Sequence, residues 1–251
     1  SQTFKNQSQS QTFKNQSQSQ KNKSTMKKLL LLLIVPFLSF GQTEYYQNYH
    51  ENGQLKEEGN LINGKEQGLW KQYYEDGGVK EEVFFEDGKI NGPAKLFYPN
   101  GQLAIEGVTK NGQEIGWRTE YYKNGQLKSR GYINENGQFD GEIIHYYNNG
   151  EIKEISNFRN GNLEGVLETY YRNGELDEKS IFINGVKNGR FVKYYESKEL
   201  SAEASFENGV MHGVMRAYYK NGNRKRTIVF EHGVATEWVC WDESGNEIDC
   251  K

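Results

Sequence analysis

Apolar and polar side chains alternate over short stretches along most of the chain, and glycine turns separate these stretches. Ile152, Glu154, Ser156 and Phe158 fall on one face of such a stretch. Alternation with a period of two predicts β-strands, and the chain has no apolar stripe with the 3.6-residue spacing of a helix. Two turns per period leave room for two strands of about seven residues. The pattern therefore predicts a chain of β-hairpins.

A pair of aromatic residues recurs every 24 residues, with one step of 25. The pairs are Tyr73-Tyr74, Phe97-Tyr98, Tyr121-Tyr122, Tyr146-Tyr147, Tyr170-Tyr171, Tyr194-Tyr195 and Tyr218-Tyr219. Each pair precedes a turn that usually reads x-Asn-Gly, with Asp76-Gly77 and Ser197-Lys198 as the exceptions. A repeat of this length predicts that each unit is one hairpin, which buries its apolar side chains against its neighbours.

A second glycine turn lies half a period away. It reads Asn63-Gly64 in the first unit, Asn136-Gly137 in a central unit and His232-Gly233 in the last. Another Gly follows four residues later in every copy but the last. Because Asn and Gly both tolerate positive φ, these turns predict tight hairpins. Trp117 lies one position earlier relative to its Gly than Trp70, which leaves a bulge and a simple substitution both open.

The first members of the aromatic pairs form a candidate contact ladder. They are Tyr73, Phe97, Tyr121, Tyr146, Tyr170, Tyr194 and Tyr218. Alternation places the two members of each pair on opposite faces, so an aromatic ladder is expected along both sides of the sheet. One interpretation is that these rings are the core of a thin sheet. The other is that one ladder stays partly exposed as a platform for a protein, a glycan or an outer-membrane surface.

The charge balance argues against anionic partners. Residues 1–41 carry six Lys and no acidic residue, so the rest of the chain has 25 basic and 34 acidic side chains and a net charge of −9. Such a surface repels phosphate backbones and anionic lipid head groups, which disfavours a nucleic-acid partner.

The N-terminal segment predicts export. Residues 1–25 form a low-complexity leader, and residues 26–41 form a signal peptide with a charged start, an apolar run and a cut after Gly41. The apolar run is too short for a comfortable membrane span and contains Pro36, so we expect no transmembrane anchor. We expect a periplasmic, envelope or secreted location. In such a compartment Cys240 and Cys250 either form a disulfide or remain unpaired thiols.

No catalytic or cofactor site stands out in the sequence. The four histidines, His50, His145, His212 and His232, fall in different repeats, and none is paired at the spacing of metal ligands. The acidic pairs on strands are typical of a solvated face rather than of an acid–base pair. We therefore expect a protein that is not an enzyme and that needs no cofactor or metal.

The pattern Asn-Gly-x-x-x-Gly-x-aromatic-x-x-Tyr-Tyr-x-Asn-Gly-x-Leu resembles the MORN-repeat-variant family, whose bacterial members are often named YwqK-family antitoxin proteins. The resemblance covers about residues 45–237 in about eight copies. It implies an all-β fold, an elongated single-layer antiparallel meander of β-hairpins of 24 residues each. The antitoxin name implies a binding role.

These observations give an array at residues 42–237 and a C-terminal cap at 238–251. The expected function is an exported, non-catalytic protein-binding or scaffold module, antitoxin-like by family name. Its expected partner is another protein or an envelope component. A structural spacer of the envelope and a polymer-acting hydrolase are the alternatives. The oligomeric state and the partner are left open by the sequence.

Overall fold

The computed structural model describes residues 42–250. The predicted leader and signal peptide lie outside the described residues. Over the described range the chain forms strands and turns, and it contains no helix long and apolar enough to cross a membrane.

Nineteen β-strands follow one another along residues 42–250. Their bounds are β1 Thr43–Tyr49, β2 Leu55–Ile62, β3 Lys65–Tyr73, β4 Val79–Glu86, β5 Lys89–Phe97, β6 Leu103–Lys110, β7 Gln113–Tyr121, β8 Leu127–Ile133, β9 Gly141–Tyr146, β10 Ile152–Arg159, β11 Asn162–Tyr170, β12 Leu176–Ile183, β13 Val186–Lys187, β14 Gly189–Tyr194, β15 Leu200–Glu207, β16 Val210–Tyr218, β17 Arg224–Glu231, β18 Val234–Trp241 and β19 Glu247–Ile248.

Apart from β13 and β14, which both pair with β12, each strand pairs antiparallel with the next strand in sequence, which makes one open sheet. Strands β13 and β14 are two parts of one strand interrupted at Asn188, since both pair with β12. A sheet built only from sequential hairpins is a meander. The predicted all-β, single-layer antiparallel meander is therefore confirmed.

Two turn geometries alternate along the sheet. Asn63 and Gly64 both have positive φ, 52° and 76°, as a two-residue type I′ turn requires. At the opposite end of the strands, the Gly77 amide donates to the Tyr74 carbonyl at 3.0 Å, and Gly77 has φ 87°. This is a three-residue turn with a left-handed third residue.

The Asn136-Gly137 turn differs in geometry from the Asn63-Gly64 turn. The Gly137 amide donates to the Asn134 carbonyl at 2.9 Å, and the Asn134 amide donates to the Gln138 carbonyl at 2.8 Å. It is therefore a three-residue turn rather than a two-residue one. The longer turn lies between Tyr121 and Tyr146, so it accommodates the single 25-residue step of the repeat.

The glycines that lie four residues after each second turn, called the fourth-place glycines, lie in β-bulges. In β3 the residues Gly68, Leu69 and Trp70 together oppose Gly59 of β2, and Gly68 has φ 74°. Only glycine adopts this backbone without strain. These glycines are therefore explained by a bulge inside the strand, in addition to the turns and close packing that the sequence predicted.

Most of the buried side chains lie on one face of the sheet, the inner face, which is defined by the cross-strand set Trp70, Val83 and Ala94. Large side chains there cover small neighbours. A Cβ atom added to Gly59 would lie 2.3 Å from the Trp70 ring, so the indole packs directly on the Gly59 backbone. The opposite face, the outer face, carries Lys71, which is paired across the strands with Glu82. Val192 is buried on this outer face, where it lies between Lys179 and Glu203.

Candidate binding surface

The second tyrosine of each pair ties its repeat to the next one. The hydroxyl of Tyr147 donates to the carbonyl oxygen of Tyr170 at 2.7 Å. The same bond joins Tyr74 to Phe97, Tyr98 to Tyr121, Tyr122 to Tyr146, Tyr171 to Tyr194, Tyr195 to Tyr218 and Tyr219 to Trp241. In the first repeat the ring of His50 lies 3.0 Å from the Tyr73 carbonyl and takes this place. These side chains therefore link each repeat to the next one.

The asparagine of Tyr-x-Asn-Gly makes a second link between neighbouring repeats. Its side-chain oxygen accepts from the backbone two residues on, and its side-chain nitrogen donates into the next repeat. At Asn149 these partners are the Glu151 amide at 3.2 Å and the Arg172 carbonyl at 2.9 Å. Asp76 keeps the first bond, to the Gly78 amide at 3.0 Å, but a carboxylate cannot donate the second. The signature therefore fixes its own turn and the neighbouring turn together.

The candidate contact ladder lies on the outer face. All seven of its rings are half-buried. Four of the hydroxyls donate to glutamates of the same face: Tyr73 to Glu58, Tyr121 to Glu106, Tyr170 to Glu168 and Tyr218 to Glu203, at 2.6 to 3.0 Å. Phe97, Tyr146 and Tyr194 occupy the same row of the sheet. Most of these hydroxyls therefore support structure rather than face a partner.

The environment raises the pKa of Tyr73 and Tyr170 and lowers the pKa of Glu58. Burial and the hydrogen bond to Glu58 raise the pKa of Tyr73 to about 12. Burial and the hydrogen bond to Glu168 likewise raise the pKa of Tyr170 to about 12. Hydrogen bonds from Tyr45 and Tyr73 lower the pKa of Glu58. A neutral phenol beside an ionised carboxylate is thus the stable combination.

A row of alternating charges runs beside the tyrosines on the outer face. From β2 to β8 the cross-strand neighbours are Glu58, Lys71, Glu82, Lys95, Glu106, Thr119 and Arg130. Opposite charges on adjacent strands attract, and the Lys71 ammonium lies 3.0 Å from the Glu82 carboxylate. This charge ladder gives the outer face both signs of charge without a large field of either.

An apolar stripe runs along the other side of the charge ladder. Its members lie on five strands between β3 and β8, with Pro93 of β5 between them. They are Leu69, Phe84, Val108, Trp117 and Tyr132, and each keeps between 40% and 52% of its surface exposed. The Trp117 and Tyr132 rings pack edge to face at 5.7 Å, and the Arg130 guanidinium lies 4.4 Å from the Trp117 ring centre. This stripe exposes more apolar surface than the tyrosine ladder.

Trp117 lies on the outer face and Trp70 lies on the inner face. The strand register shows whether a bulge or a substitution causes the one-position offset of Trp117 relative to its Gly. Gly116 pairs with Ile133 as Gly68 pairs with Phe85, so both bulges have the same register. The difference is therefore a substitution. Arg118 takes the inner-face position of Trp70.

The Arg118 guanidinium forms the centre of a partly buried ion cluster. It lies 2.8 Å from Glu114 and 2.8 Å from Glu120, and Glu120 also accepts from Lys128 at 3.0 Å. Burial alone would raise the pKa of Glu120, but Arg118 and Lys128 outweigh it and lower that pKa. The paired charges compensate one another at a position that is apolar in most repeats.

The four histidines lie far apart in the sheet. Burial lowers the pKa of His145, which lies opposite Glu154 on the inner face. His212 lies 3.9 Å from Glu207, and His232 occupies the first position of a two-residue turn with φ 48°. Within residues 42–250 no group of three His, Cys, Asp or Glu side chains is arranged to hold a metal.

Cys240 and Cys250 are joined by a disulfide, with a Cα–Cα distance of 5.4 Å. Cys240 is buried on β18, and Cys250 follows the short strand β19. The bridge therefore holds the last described residues against β18.

Sequence reasoning missed the apolar stripe and the charge ladder. A signal was present for both. Leu69, Pro93 and Trp117 each follow a fourth-place glycine directly, and Glu58, Glu82 and Glu106 recur at the 24-residue step. Finding the faces of these residues requires knowledge of the bulge, because the bulge resets the alternation of side chains.

A model of the MORN repeat variant matches the chain at residues 42–63, 66–87, 90–111, 118–138, 139–160, 163–184 and 211–232. No curated protein matches the chain. Among solved structures, the crystal structure of TcdB2-TccC3 is 11% identical over 81% of this chain, with a TM-score of 0.22. That of TcdB2-TccC3-Cdc42 is 10% identical over 81%, with a TM-score of 0.21.

This chain corresponds to 13% of the length of each of those two chains. A protein of unknown function from Bacteroides fragilis is 7% identical over 82% of this chain and 97% of its own, with a TM-score of 0.11. Likenesses at these scores carry no argument about fold or function. The repeat matches, in contrast, cover more than half of the chain. The chain therefore belongs to the MORN-repeat-variant family.

Proposed function

We propose that this chain is an exported, non-catalytic repeat protein whose outer face binds another protein. The observation that carries the proposal is the apolar stripe of Leu69, Phe84, Val108, Trp117 and Tyr132. At about 4.8 Å per strand, the distance from β3 to β8 is about 24 Å. A contiguous exposed stripe with aromatic members is typical of a protein contact surface.

The size of the stripe fits a contact of moderate strength. Its half-exposed side chains present on the order of 400 Å² of apolar surface, which is within the range of the largest patch on a monomeric protein. Covering that surface gives about 10 kcal/mol at about 25 cal/mol per Å². Association itself costs about 4–15 kcal/mol. The stripe alone therefore leaves little surplus, and a specific partner also has to match the neighbouring charges.

The charge ladder favours a protein over other partners. Glu82 and Lys95 on adjacent strands show the alternation that flanks the stripe. Alternating charges give no continuous positive field for a membrane surface or a polyanion, whereas a protein surface carries both signs. The net charge of −9 outside residues 1–41 adds to this preference.

Export is supported by two features. The charged start and apolar run of residues 26–41 have the order of a signal peptide. The disulfide between Cys240 and Cys250 persists in oxidising compartments such as the periplasm. The antitoxin-like role implied by the family name is a narrower form of the same protein-binding function.

Affinity capture from an envelope fraction tests the proposal. The bait is residues 42–251, and the stripe variant is Trp117→Ser/Tyr132→Ser. We expect the bait to retain a stoichiometric protein and the stripe variant to lose at least about nine-tenths of it, because two central aromatic contacts are removed.

The matched control is Val210→Ser/Val234→Ser, which removes two apolar side chains that are 45% and 65% exposed outside the stripe. This control should retain the partner. Equal loss in both variants, or capture that neither variant changes, contradicts binding by the outer face. A bait that captures no protein in any condition supports the structural-spacer alternative instead.

A further inference from the structure

Charge is strongly segregated near the C-terminal end of the described chain. Residues 208–230 contain Arg216, Lys220, Arg224, Lys225 and Arg226 and no acidic residue. Residues 231–250 contain six acidic residues and no Lys or Arg. In a chain that is acidic outside its first 41 residues, five neighbouring cations make a local field of the opposite sign.

Four of these cations have no anionic partner among residues 42–250. Three of them lie over aromatic rings instead: Lys220 over Tyr195 at 5.7 Å, Arg224 over Trp241 at 5.4 Å and Lys225 over Tyr219 at 5.3 Å. Arg216 pairs with Glu203 at 3.4 Å, whereas the charged groups of Lys220, Arg224, Lys225 and Arg226 make no ion pair or hydrogen bond there. Arg226 is only half exposed. A partly buried guanidinium has five donors, and such groups are normally paired. Its donors are therefore available to an anionic ligand.

A depression of about 530 Å³ adjoins these cations. Lys225 and Arg226 line it together with the rings of Tyr219 and Trp241, and the disulfide and Ile248 form its remaining apolar wall. Asp249 also lines it. Arg226 lies opposite Cys240 in the β17–β18 ladder, so the bridge to Cys250 fixes one wall beside the guanidinium. Volumes of about 300–1,000 Å³ are typical of small-molecule sites.

We propose that this corner, formed by Lys220, Arg224, Lys225 and Arg226 with Tyr219 and Trp241, binds a small ligand that carries a phosphate or carboxylate group on a ring. The guanidinium and ammonium groups bind the anion, and the two aromatic rings pack against the face of the ring. Asp249 accepts a hydrogen bond from a ligand hydroxyl. This inference does not depend on the proposed protein partner of the outer face.

The surrounding charge sets the size of the ligand. A long polyanion that extended beyond the corner would meet residues 231–250, which carry a charge of −6. At physiological salt, charges act over about 8 Å. A ligand of one or two rings stays within reach of the cations, whereas a polymer does not. A sugar phosphate, a uronic acid and a nucleotide all have the required chemistry.

Titration of residues 42–251 followed by amide NMR tests the proposal. The probes are glucose 1-phosphate, glucuronate and adenosine monophosphate, with neutral glucose and inorganic phosphate as comparisons. We expect saturable shifts of the Lys225 and Arg226 amides and of the Trp241 indole N–H with at least one ring anion. Which ring anion binds most tightly identifies the source of the ligand. Glucose should not bind, and inorganic phosphate should bind more weakly because it has no ring.

The variant Lys225→Glu/Arg226→Glu should weaken binding by at least about tenfold, since it replaces charge-assisted hydrogen bonds to the anion with repulsion between like charges. Lys89→Glu/Lys153→Glu changes the net charge equally at a distance and should bind as the wild type does. Unchanged spectra elsewhere show that each variant is folded. Equal weakening by both variants overturns the site, as does saturable glucose binding. The absence of any saturable shift with all three ring anions also overturns it.

Discussion

At the scale of single residues, the Tyr-x-Asn-Gly signature is explained by two side chains that reach into the next repeat. The hydroxyl of Tyr147 and the amide of Asn149 both end on backbone carbonyls of the following unit. Each buried carbonyl oxygen needs a hydrogen-bond donor. The signature therefore recurs because it links hairpins, and this use leaves the second tyrosines little freedom to serve as contact residues.

The variant Tyr147→Phe tests this link. It keeps the ring but removes the bond to the Tyr170 carbonyl, so we expect the free energy of unfolding to fall by about 1 kcal/mol. Denaturant unfolding measures the loss. Tyr146→Phe is the matched control, because Phe97 occupies the equivalent position naturally. If the two variants lower the free energy of unfolding equally, the hydrogen bond from Tyr147 to the Tyr170 carbonyl does not stabilise the link between repeats.

The variant Lys198→Gly should stabilise the chain. Lys198 has φ 80° at the third position of its turn, where the other repeats have glycine. The gain is expected to be about 0.5–1 kcal/mol, because the strain of a left-handed lysine exceeds the extra freedom of glycine in the unfolded chain. The exposed ion pair of Lys198 with Glu175 contributes little. A loss of stability in thermal unfolding would show that the turn is unstrained.

At the scale of the hairpin, much of the structure could be predicted from the sequence. Both turns of a unit were read from their glycines, since positive φ restricts the residues that can stand there. The three-residue geometry of the Asn136-Gly137 turn could not be predicted from its dipeptide, which is the same as in the two-residue turns; only the 25-residue spacing differs. An Asn-Gly dipeptide indicates residues with positive φ, but it does not indicate the number of residues in the loop.

The candidate surface was predicted less well than the turns. The tyrosine ladder is half-buried and mostly bonded to glutamates, whereas the rings of Phe84, Trp117 and Tyr132 in the apolar stripe are more exposed. The faces of Trp117 and Arg118 depend on the bulge at Gly116, which simple alternation does not include. The charge ladder depends on cross-strand register and so required the structure.

The ion cluster of β7 gives a prediction for one hairpin. Arg118→Ala should lower the free energy of unfolding by about 2–4 kcal/mol, since it leaves the partly buried Glu114 unpaired and leaves Glu120 paired with Lys128 alone. The triple variant Glu114→Leu/Arg118→Leu/Glu120→Leu should recover most of that loss. Denaturant unfolding of both variants checks this. A triple variant as unstable as Arg118→Ala would indicate that the charges are needed for more than mutual compensation.

At the scale of the whole molecule, the repeated phenol–carboxylate pairs predict how stability depends on pH. The pKa of Tyr73 and of Tyr170 is raised from 10.0 to about 12. Their contribution is complete below pH 10, where the phenol is neutral in both folded and unfolded chains, and is lost as the pH rises towards 12.

The pKa of Glu58 and of Glu168 is lowered, so their contribution is present above the ordinary glutamate pKa of 4.5 and is lost as the pH falls below it. Thermal unfolding between pH 3 and 12 measures both limbs. The variant Tyr73→Phe/Tyr170→Phe should flatten the alkaline limb and leave most of the acid limb. An alkaline limb that this variant leaves unchanged would exclude these tyrosines as its source.

The sheet as a whole has an inner face that is packed and an outer face whose apolar stripe remains uncovered. The central claim is that a protein covers that stripe. Site-specific photo-crosslinking in the native envelope tests it most directly, with the crosslinker placed at Phe84 or Tyr132 in the stripe and at Asn208 in an exposed turn as the control. We expect one crosslinked protein from both stripe positions and none from the turn. Equal products from all three positions, or no product from the stripe, would contradict it.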